Sequence, residues 1–470
     1  MTIEQIYTGC LAQGAYYIQS EGEAAIIDPL REVAPYIERA QKDGVKIKYI
    51  FETHFHADFV SGHLTLAEKT GAQIIYGPLA QPQFAAHIAT DGESFSLGNI
   101  SIEALHTPGH TMESTTYLLR NQQGEPQAIF TGDTLFLGDV GRPDLAQKAA
   151  QMTKEALAEI LYDSLRNKIM PLPDEVVVYP GHGAGSACGK NMMKETVDTL
   201  GHQKKVNYAL RADLTKAAFV KEVTEGLLPP PGYFPLNVKM NKEGYQSIDQ
   251  VLSEGTKART PEALEAMANE MGALILDVRS PEAYAEAHIP GSMFIGLDGS
   301  FAPWVGELII DVQQKLLLVV PEGREAEAVT RLSRVGFDHT LGFLEGGMAA
   351  WIAAGKETDQ VETVTAQALE TAFWENSPVV FDVRKTAEYT AQHLLGAQST
   401  PLARINEHLD KFPRTTPFFV HCAGGYRSTI AASILKARGW HNLINVAGGL
   451  GAIKETTLPL SAPICPSTTS

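Results

Sequence analysis

The sequence is poor in cysteine and in long hydrophobic runs. Its 470 residues include only four cysteines, Cys10, Cys188, Cys422 and Cys465, and no two of them form a C-x-x-C pair. Scattered cysteines exclude a disulfide framework and are typical of a reducing compartment, so we expect a cytoplasmic protein. No run approaches the roughly 18 apolar residues that a membrane-spanning helix needs, so we expect no membrane partner.

Positive charge is scarce as well. The chain has 38 Lys and Arg against 55 Asp and Glu, which gives a net charge of −17. A field of this sign repels nucleic-acid phosphates, so we expect no nucleic-acid partner. Hydrophobic residues make up 44% and charged residues 20% of the chain, an ordinary globular balance that predicts a folded protein.

The length exceeds what one hydrophobic core can hold, and an internal repeat divides the second half. The segment DVRSPEAYAEAHIPG begins at Asp277, and DVRKTAEYTAQHLLG begins 105 residues later at Asp382, with Tyr, His and Gly at matching places. Strands alternate with helices in both copies, which predicts α/β domains with parallel sheets. A proline-rich stretch, Pro229 to Pro231, separates the repeats from the first half. We therefore predict three domains: 1–240, 241–357 and 358–470.

Four apolar strands of the first half end in polar clusters. These clusters are Thr53-His54, His106 to His110, Gly132-Asp133 and Gly181-His182. Rigid sheets hold such strand-terminal loops together, and chemistry in α/β folds is placed there. Imidazole and carboxylate groups are ligands suited to Zn²⁺ or Fe²⁺. A lone histidine would be interpreted as a surface residue, but four such elements predict a metal site.

The segment THFHADF, which contains His54, His56 and Asp58, together with the later His110, Asp133 and His182, resembles the metallo-β-lactamase superfamily. The resemblance implies an αββα sandwich with the metal at one edge. The residue after Asp58, where a second metal would have a ligand, is Phe59, and a phenyl ring cannot ligate. One metal is therefore expected rather than two.

Within that superfamily the sequence resembles the mononuclear persulfide dioxygenases. The resemblance implies one Fe²⁺ per chain, held by His54, His110 and Asp133, with O₂ as co-substrate. Two histidines and one carboxylate leave open positions for a thiolate-type sulfur and O₂. The remaining polar residues, His56, Asp58 and His182, are then expected to orient ligands or bound water, and His56 as a direct ligand stays open.

Two further segments are expected near this metal. Arg142 and Asp144 follow Asp133 in the stretch GDVGRPDLA, where the dioxygenases have an Arg associated with the carboxylates of a glutathione-like substrate. Arg142 either binds such a carboxylate or pairs with Asp144 to anchor a loop. Cys188 lies in the glycine-rich GHGAGSACGK and is either a buried small residue or a thiol that carries or senses sulfur.

The second repeat contains a loop suited to sulfur transfer. A strand ends at Cys422, and a glycine-rich turn leads into a helix; the loop residues are Cys422, Ala423, Gly424, Gly425, Tyr426, Arg427 and Ser428. Backbone N–H groups in such a turn, together with a helix dipole, favour a thiolate or persulfide over a neutral thiol. This C-x-x-G-x-R-S motif resembles the rhodanese family, which implies that Cys422 is the nucleophile and that Arg427 closes the loop. The alternative is a buried core cysteine.

The first repeat lacks this chemistry. Matching Arg324 to Arg427 places Pro321 where the second copy has Cys422, and the loop is two residues shorter. Proline offers neither a nucleophile nor an N–H group. The first repeat is therefore expected to be an inactive, structural rhodanese-like domain.

Together these features predict a bifunctional sulfur-metabolising enzyme. A low-molecular-weight persulfide of glutathione, coenzyme A or a similar thiol would be oxidised to sulfite, and Cys422 would transfer sulfane sulfur to produce or consume thiosulfate. Two alternatives stay open: a mononuclear zinc thioester hydrolase fused to a sulfurtransferase, and a non-enzymatic persulfide carrier or sensor. A homo-oligomer is the expected assembly, because symmetric oligomers are common among soluble proteins.

Overall fold

The computed structural model describes residues 1–464, so Cys465, to which the sequence assigns no role, lies outside the described residues. The chain forms two compact units. The first contains Met1–Gln250 together with Leu332–Gly336, and the second contains Val251–Arg331 and the chain from Phe337 onward.

The first unit contains two six-stranded mixed sheets. One has the order β1-β2-β3-β4-β5-β6, with strands β1 Thr2–Thr8, β2 Gln13–Ser20, β3 Glu23–Ile27, β4 Lys46–Glu52, β5 Gln73–Tyr76 and β6 His87–Ile88. The other has the order β12-β11-β10-β9-β8-β7, with strands β7 Ser94–Leu97, β8 Ile100–His106, β9 Thr115–Arg120, β10 Pro126–Gly132, β11 Val177–Pro180 and β12 Asp198–Thr199. In the first sheet β1, β2 and β3 are antiparallel neighbours, and the pairs β3–β4, β4–β5 and β5–β6 are parallel; in the second sheet only β10 with β11 is parallel, and the other pairs are antiparallel.

Helices pack on the outer faces of both sheets. The helices of this unit are α1 Ala34–Asp43, α2 His63–Thr70, α3 Gln147–Ala150, α4 Lys154–Ser164, α5 Leu200–Val206, α6 Lys216–Thr224 and α7 Phe234–Glu243, and α8 Ile248–Gly255 begins in this unit and ends in the second. Apolar side chains from both sheets, Phe51 and Tyr117 among them, fill the space between them. Tyr36 of α1 packs on one outer face, and Leu161 of α4 packs on the other. The layers are therefore helix, sheet, sheet, helix.

Local sequence explains where these elements begin and end. Apolar and polar residues alternate along β8, which buries one face of the strand. The side chain of Thr153 accepts a hydrogen bond from the Ala156 amide and so caps α4. Gly44 ends α1 in the left-handed conformation that glycine adopts without strain. The strands β4 and β10 end immediately before Thr53 and Asp133, which brings the predicted metal ligands to one edge.

The second unit repeats one α/β domain. Its first five-stranded sheet has the order β13-β17-β16-β14-β15, with β13 Ala258–Arg259, β14 Leu274–Asp277, β15 Met293–Phe294, β16 Leu316–Val319 and β17 Thr340–Leu344. The second has the equivalent order β18-β22-β21-β19-β20, with β18 Thr363–Val364, β19 Val379–Asp382, β20 Gln398–Ser399, β21 Phe418–His421 and β22 Leu443–Val446. Every strand pair in both sheets is parallel.

Helices flank these sheets in both copies. They are α9 Pro261–Met271, α10 Pro281–Glu286, α11 Phe301–Leu308, α12 Glu325–Ser333, α13 Gly347–Ala353, α14 Ala366–Asn376, α15 Thr386–Ala391, α16 Tyr426–Ala437 and α17 Gly449–Ile453. The repeated motif residues make the same local contacts in each copy. Arg384 binds Asp382 at 2.6 Å, as Arg279 binds Asp277 at 2.6 Å. These side chains therefore support the domain rather than a reaction.

The fold class predicted from the sequence is confirmed: a sandwich of two mixed sheets precedes two all-parallel α/β domains. The proposed domain boundaries at residues 240 and 357 stay predictions. Within residues 1–464, every helix is too short or too polar to cross a lipid bilayer.

Candidate metal centre and sulfur-transfer loop

Three buried side chains converge at the edge of the sandwich. His54 follows β4, His110 lies between β8 and β9, and Asp133 follows β10; their ligand atoms all lie within 4.8 Å of one another. The Nε2 atoms of His54 and His110 lie 3.9 Å and 3.5 Å from Oδ2 of Asp133. Among residues 1–464, this buried Oδ2 has no hydrogen-bond partner. A buried, unpaired carboxylate oxygen facing two imidazoles fits a bound metal ion.

Hydrogen bonds orient both imidazoles for ligation. Nδ1 of His110 lies 2.9 Å from the backbone oxygen of Arg142, which must accept, so Nε2 keeps its lone pair. Thr53 donates its hydroxyl hydrogen to Asp28 and therefore accepts from Nδ1 of His54, 3.0 Å away. Burial lowers the pKa of His54 well below its ordinary value, and His56 adds to the effect. The hydrogen bonds thus direct Nε2 of both histidines to the centre, and the lowered pKa keeps His54 neutral there.

His182 lies between two carboxylates. Its Nδ1 is 2.8 Å from Oδ1 of Asp133, and its Nε2 is 2.7 Å from Oδ2 of Asp58. Burial alone would lower the pKa of His182, but Asp133 and Asp58 outweigh it and raise that pKa well above its ordinary value. In turn, burial would raise the pKa of Asp133, but His182, His54 and His110 outweigh it and lower that pKa. His182 therefore holds a proton and orients Asp133.

His56 belongs to a separate group. Its Nε2 lies 3.1 Å from Asp28 and 3.5 Å from Glu52, and the ring of Phe59 lies tilted beside it, with ring centroids 4.3 Å apart. Burial alone would lower the pKa of His56, but Asp28 and Glu52 outweigh it and raise the pKa to about 10. A protonated imidazole has no lone pair for a metal. This geometry favours the orienting role, because His56 supports Asp28, which in turn binds Thr53.

Sequence reasoning missed Asp28 and Glu52 as parts of the site. Asp28 accepts from both the amide and the hydroxyl of Thr53, each at 2.8 Å. Its backbone has a positive φ of 49°, which is uncommon for a residue other than glycine. The sequence offers one signal for such a site residue, an aspartate directly after the apolar residues of AAIIDP. Its partners belong to a different strand, so local sequence could not identify them.

Cys188 also lies close to this centre. Together with Asp58 and His182 it forms a second buried group whose ligand atoms lie within 4.8 Å. Burial raises the pKa of the Cys188 thiol well above its ordinary value, and Asp58 and Asp133 add to the effect. A protonated thiol is a poor nucleophile. The observed setting therefore matches a buried small residue, and a sulfur-relay role stays a prediction.

The guanidinium of Arg142 is engaged by the protein itself. It binds both carboxylate oxygens of Asp144 at 2.7 Å and donates to the backbone oxygens of Ala187 and Leu228. The Arg142 amide donates to the carbonyl of Cys188 at 3.0 Å, and the Arg142 carbonyl receives His110. These contacts support the loop-anchoring alternative, and contact with a substrate carboxylate stays a prediction.

The loop around Cys422 connects β21 to α16. The Gly425 amide donates to Sγ of Cys422 at 3.1 Å, and the backbone at Gly425 has a φ of 108°, a conformation that favours glycine. Ser428 donates its hydroxyl to the Gly425 carbonyl at 3.0 Å, while Ala423 and Gly424 are exposed. An amide directed at the sulfur stabilises negative charge there.

Arg427 makes a two-pronged ion pair. Its terminal nitrogens lie 2.6 Å and 2.9 Å from the two oxygens of Glu388. Glu388 was not predicted from the sequence. In the first repeat, Arg324 instead binds Glu327 and Asp298, beside the loop that starts at Pro321. The arginine is thus kept in both copies, whereas the cysteine is present in the second alone.

Comparisons with known proteins agree with this architecture. Residues 8–182 match the metallo-beta-lactamase superfamily, and residues 260–354 and 365–456 match the rhodanese-like domain. The chain belongs to the metallo-β-lactamase superfamily, and its superfamily domain is fused to two rhodanese-like domains.

Individual relatives fall into two enzyme classes. The mitochondrial persulfide dioxygenase of Homo sapiens is 31% identical over 221 residues, which cover 47% of this chain and 78% of the relative. The cytoplasmic hydroxyacylglutathione hydrolase of Arabidopsis thaliana is 33% identical over 178 residues, 37% of this chain and 65% of the relative. A crystal structure titled metallo-beta-lactamase, from Staphylococcus aureus, is 32% identical with a TM-score of 0.63 and covers 73% of this chain and 98% of that one. A metal-dependent enzyme joined to sulfurtransferase-type domains is therefore supported, whereas the two relatives do not distinguish the reaction.

Proposed function

We propose that the protein oxidises a low-molecular-weight persulfide with O₂ and transfers sulfane sulfur through Cys422. The observation that carries the proposal is the buried set of two histidines and one carboxylate, in a sequence that has Phe59 after Asp58, where a second metal would need a ligand. The oxidation balances as R-S-SH + O₂ + H₂O giving R-SH and sulfurous acid. Four electrons pass from the terminal sulfur to O₂, and the thiol leaves with a proton.

The metal-binding residues suit one ferrous ion per chain. Iron in a two-histidine, one-carboxylate set supplies redox chemistry with O₂, which Zn²⁺ does not have. His54, His110 and Asp133 hold the ion, with Nε2 of each histidine left free by the hydrogen bonds described above. His182 keeps Asp133 in position and holds a proton between Asp133 and Asp58.

Cys422 then exchanges sulfur in two balanced steps. The Cys422 thiolate attacks the terminal sulfur of R-S-SH, an S–S bond forms as another breaks, and R-SH leaves with the proton. Sulfite next attacks the outer sulfur of the Cys422 persulfide, which releases thiosulfate and restores the thiolate. The Gly425 amide, 3.1 Å from Sγ, stabilises the charge on sulfur before and after each step. The same steps in reverse consume thiosulfate.

A second candidate is a zinc thioester hydrolase fused to a sulfurtransferase. The 33% identity to a hydroxyacylglutathione hydrolase favours it. A non-enzymatic persulfide carrier, in which the metal is structural and Cys422 only stores sulfur, is the third alternative that the sequence left open.

Metal content and oxygen uptake on the same sample distinguish these functions. We expect about one iron per chain and one O₂ consumed for each glutathione or coenzyme A persulfide that is oxidised, with a second persulfide consumed as each sulfite becomes thiosulfate and with little hydrolysis of S-lactoylglutathione. A sample that holds zinc, hydrolyses the thioester and consumes no O₂ would establish the hydrolase instead. A sample that turns over neither substrate but gains a persulfide on Cys422 would establish the carrier.

A further inference from the structure

The side chain of Tyr426, inside the sulfur-transfer loop, reaches the first repeat. Tyr426 begins α16, and its hydroxyl donates a hydrogen bond of 2.7 Å to the backbone oxygen of Gly296. Burial raises the pKa of Tyr426 above its ordinary value, so the hydroxyl remains a donor at physiological pH. The bond joins residues 130 positions apart, one in each repeat.

One glycine of the first repeat makes room for this ring. A Cβ at Gly299 would lie 2.8 Å from Cζ of Tyr426, and Gly299 has no positive φ, so close approach of the ring rather than backbone conformation accounts for it. The ring also passes Gly296, where a Cβ would lie 3.2 Å from Cε2 of Tyr426 but closer, at 2.8 Å, to the carbonyl oxygen of Arg279 in the same repeat. The ring also meets Phe294 edge-on, with centroids 6.0 Å apart.

A second contact fixes the same face of α16. The amide of Phe294, on the edge strand β15, donates to Oγ of Ser433 at 3.0 Å. Tyr426 and Ser433 are seven residues apart, which places them on one side of a helix about two turns from each other. The helix that follows Cys422 is therefore held against the first repeat at two points.

The receiving segment is supported from within the first repeat. Arg331 donates to the backbone oxygens of Leu297 at 2.7 Å and of Gly299 at 3.2 Å. Arg324, the counterpart of the loop arginine of the second repeat, binds Asp298 at 2.9 Å. The loop of the first repeat, which lacks the cysteine, thus has an arginine that binds the segment from Gly296 to Gly299. We name this segment the tyrosine platform.

We infer that the inactive repeat is part of the sulfur-transfer site: its tyrosine platform positions Tyr426 and thereby the Gly425 amide that faces the Cys422 sulfur. Gly425 precedes Tyr426 directly, so fixing the tyrosine limits movement of the amide that bonds Sγ. Tyr426 is a positioning residue, since it acts through the backbone of its neighbour. This inference rests on the proposed sulfur transfer at Cys422.

The test compares Tyr426→Phe with a matched variant in the full-length chain. Tyr426→Phe removes the hydroxyl and keeps the ring, and Gly299→Ala displaces the ring. Tyr284→Phe is the control, because it also removes a buried hydroxyl bond, of 2.9 Å to the Ser292 carbonyl, within the first repeat alone. Two readouts are followed: the pH profile of iodoacetamide alkylation at Cys422, located by peptide mass spectrometry, and kcat and KM for sulfur transfer from thiosulfate to cyanide.

We expect Tyr426→Phe to slow both alkylation at neutral pH and kcat by about 5-fold, with the alkylation profile displaced to higher pH. A folded Gly299→Ala protein should show an alkylation rate at neutral pH and a kcat that are both lower by about 10-fold or more. Tyr284→Phe should stay near wild type. A folded Tyr426→Phe protein with wild-type alkylation and kcat, or a Tyr284→Phe protein equally impaired, would overturn the inference. A wild-type protein inactive in transfer would instead overturn the proposed function, and the alkylation profile would still decide the role of Tyr426.

Discussion

Asp133 faces three histidines of the metal centre through its two carboxylate oxygens. One of its oxygens accepts from His182, and the other lies unpaired between two imidazoles. The Asp133 side chain can therefore bind the metal with one oxygen while the other oxygen holds the protonated His182. Removing its charge should affect metal binding more than removing the charge of Asp58, whose Oδ2 contacts Nε2 of His182 at 2.7 Å and faces the centre through that residue.

The first prediction compares these two carboxylates. Asp133→Asn should lower the metal content to less than about a tenth of wild type, because neutral amide oxygen is a weak ligand and leaves two histidines alone. Asp58→Asn, the same chemical change, should keep more than about half of the metal. Elemental analysis by mass spectrometry after gel filtration measures both. Full iron occupancy in Asp133→Asn would disprove this ligand set, and loss in both variants would make Asp58 a ligand.

At the scale of elements, the strand ends were predictable and their cross-connections were not. The apolar runs that precede Thr53 and Asp133 indicate strands, and polar residues at their ends indicate a site, because both signals are local in sequence. The contact between Asp28 and Thr53 joins the ends of β3 and β4, and that between Arg427 and Glu388 joins α16 to α15. Such pairs depend on the packed fold. Likewise, THFHAD could not reveal that His56 faces Asp28 and Glu52 rather than Asp133.

The second prediction concerns the loop between β10 and α3. Arg142 binds Asp144, Ala187 and Leu228, so Arg142→Lys should loosen this loop, which also holds Cys188 and receives His110. Lysine cannot reproduce the bidentate pair, and we expect a loss of about 1–3 kcal/mol in local stability. The rate of backbone amide hydrogen exchange in residues 138–146 should therefore rise in Arg142→Lys. The same exchange in Arg120→Lys, whose partner Glu103 lies on a strand, serves as control.

The substrate alternative for Arg142 makes a different prediction in the same variants. If Arg142 bound a carboxylate, Arg142→Lys would raise the KM for glutathione persulfide and leave that for cysteamine persulfide, which has no carboxylate, unchanged. We expect equal effects on both persulfides. A selective rise for the glutathione compound would show that Arg142 leaves Asp144 to bind substrate.

At the scale of the whole molecule, one chain carries both proposed reactions and a net charge of −17. Sulfite and thiosulfate are anions, so the overall field opposes their capture from solution. Covalent linkage raises the effective concentration of a product of one domain at the other. On the proposed function the fusion would have a kinetic reason, because sulfite made in the first domain would be used before it is diluted.

The third prediction tests that linkage with two variants mixed in solution. Asp133→Ala keeps Cys422 but lacks the metal centre, and Cys422→Ser keeps the metal centre but lacks the nucleophile. With persulfide and O₂, Cys422→Ser alone should consume oxygen at near the wild-type rate and accumulate sulfite, whereas the wild type accumulates thiosulfate. An equimolar mixture should release a several-fold larger share of its sulfur as free sulfite than the wild type at about 1 μM enzyme, and less as the concentration rises. Ion chromatography measures both anions.

Equal sulfite shares for mixture and wild type at every concentration would show that the intermediate diffuses freely, and loss of oxygen uptake in Cys422→Ser would place Cys422 in the oxidation itself.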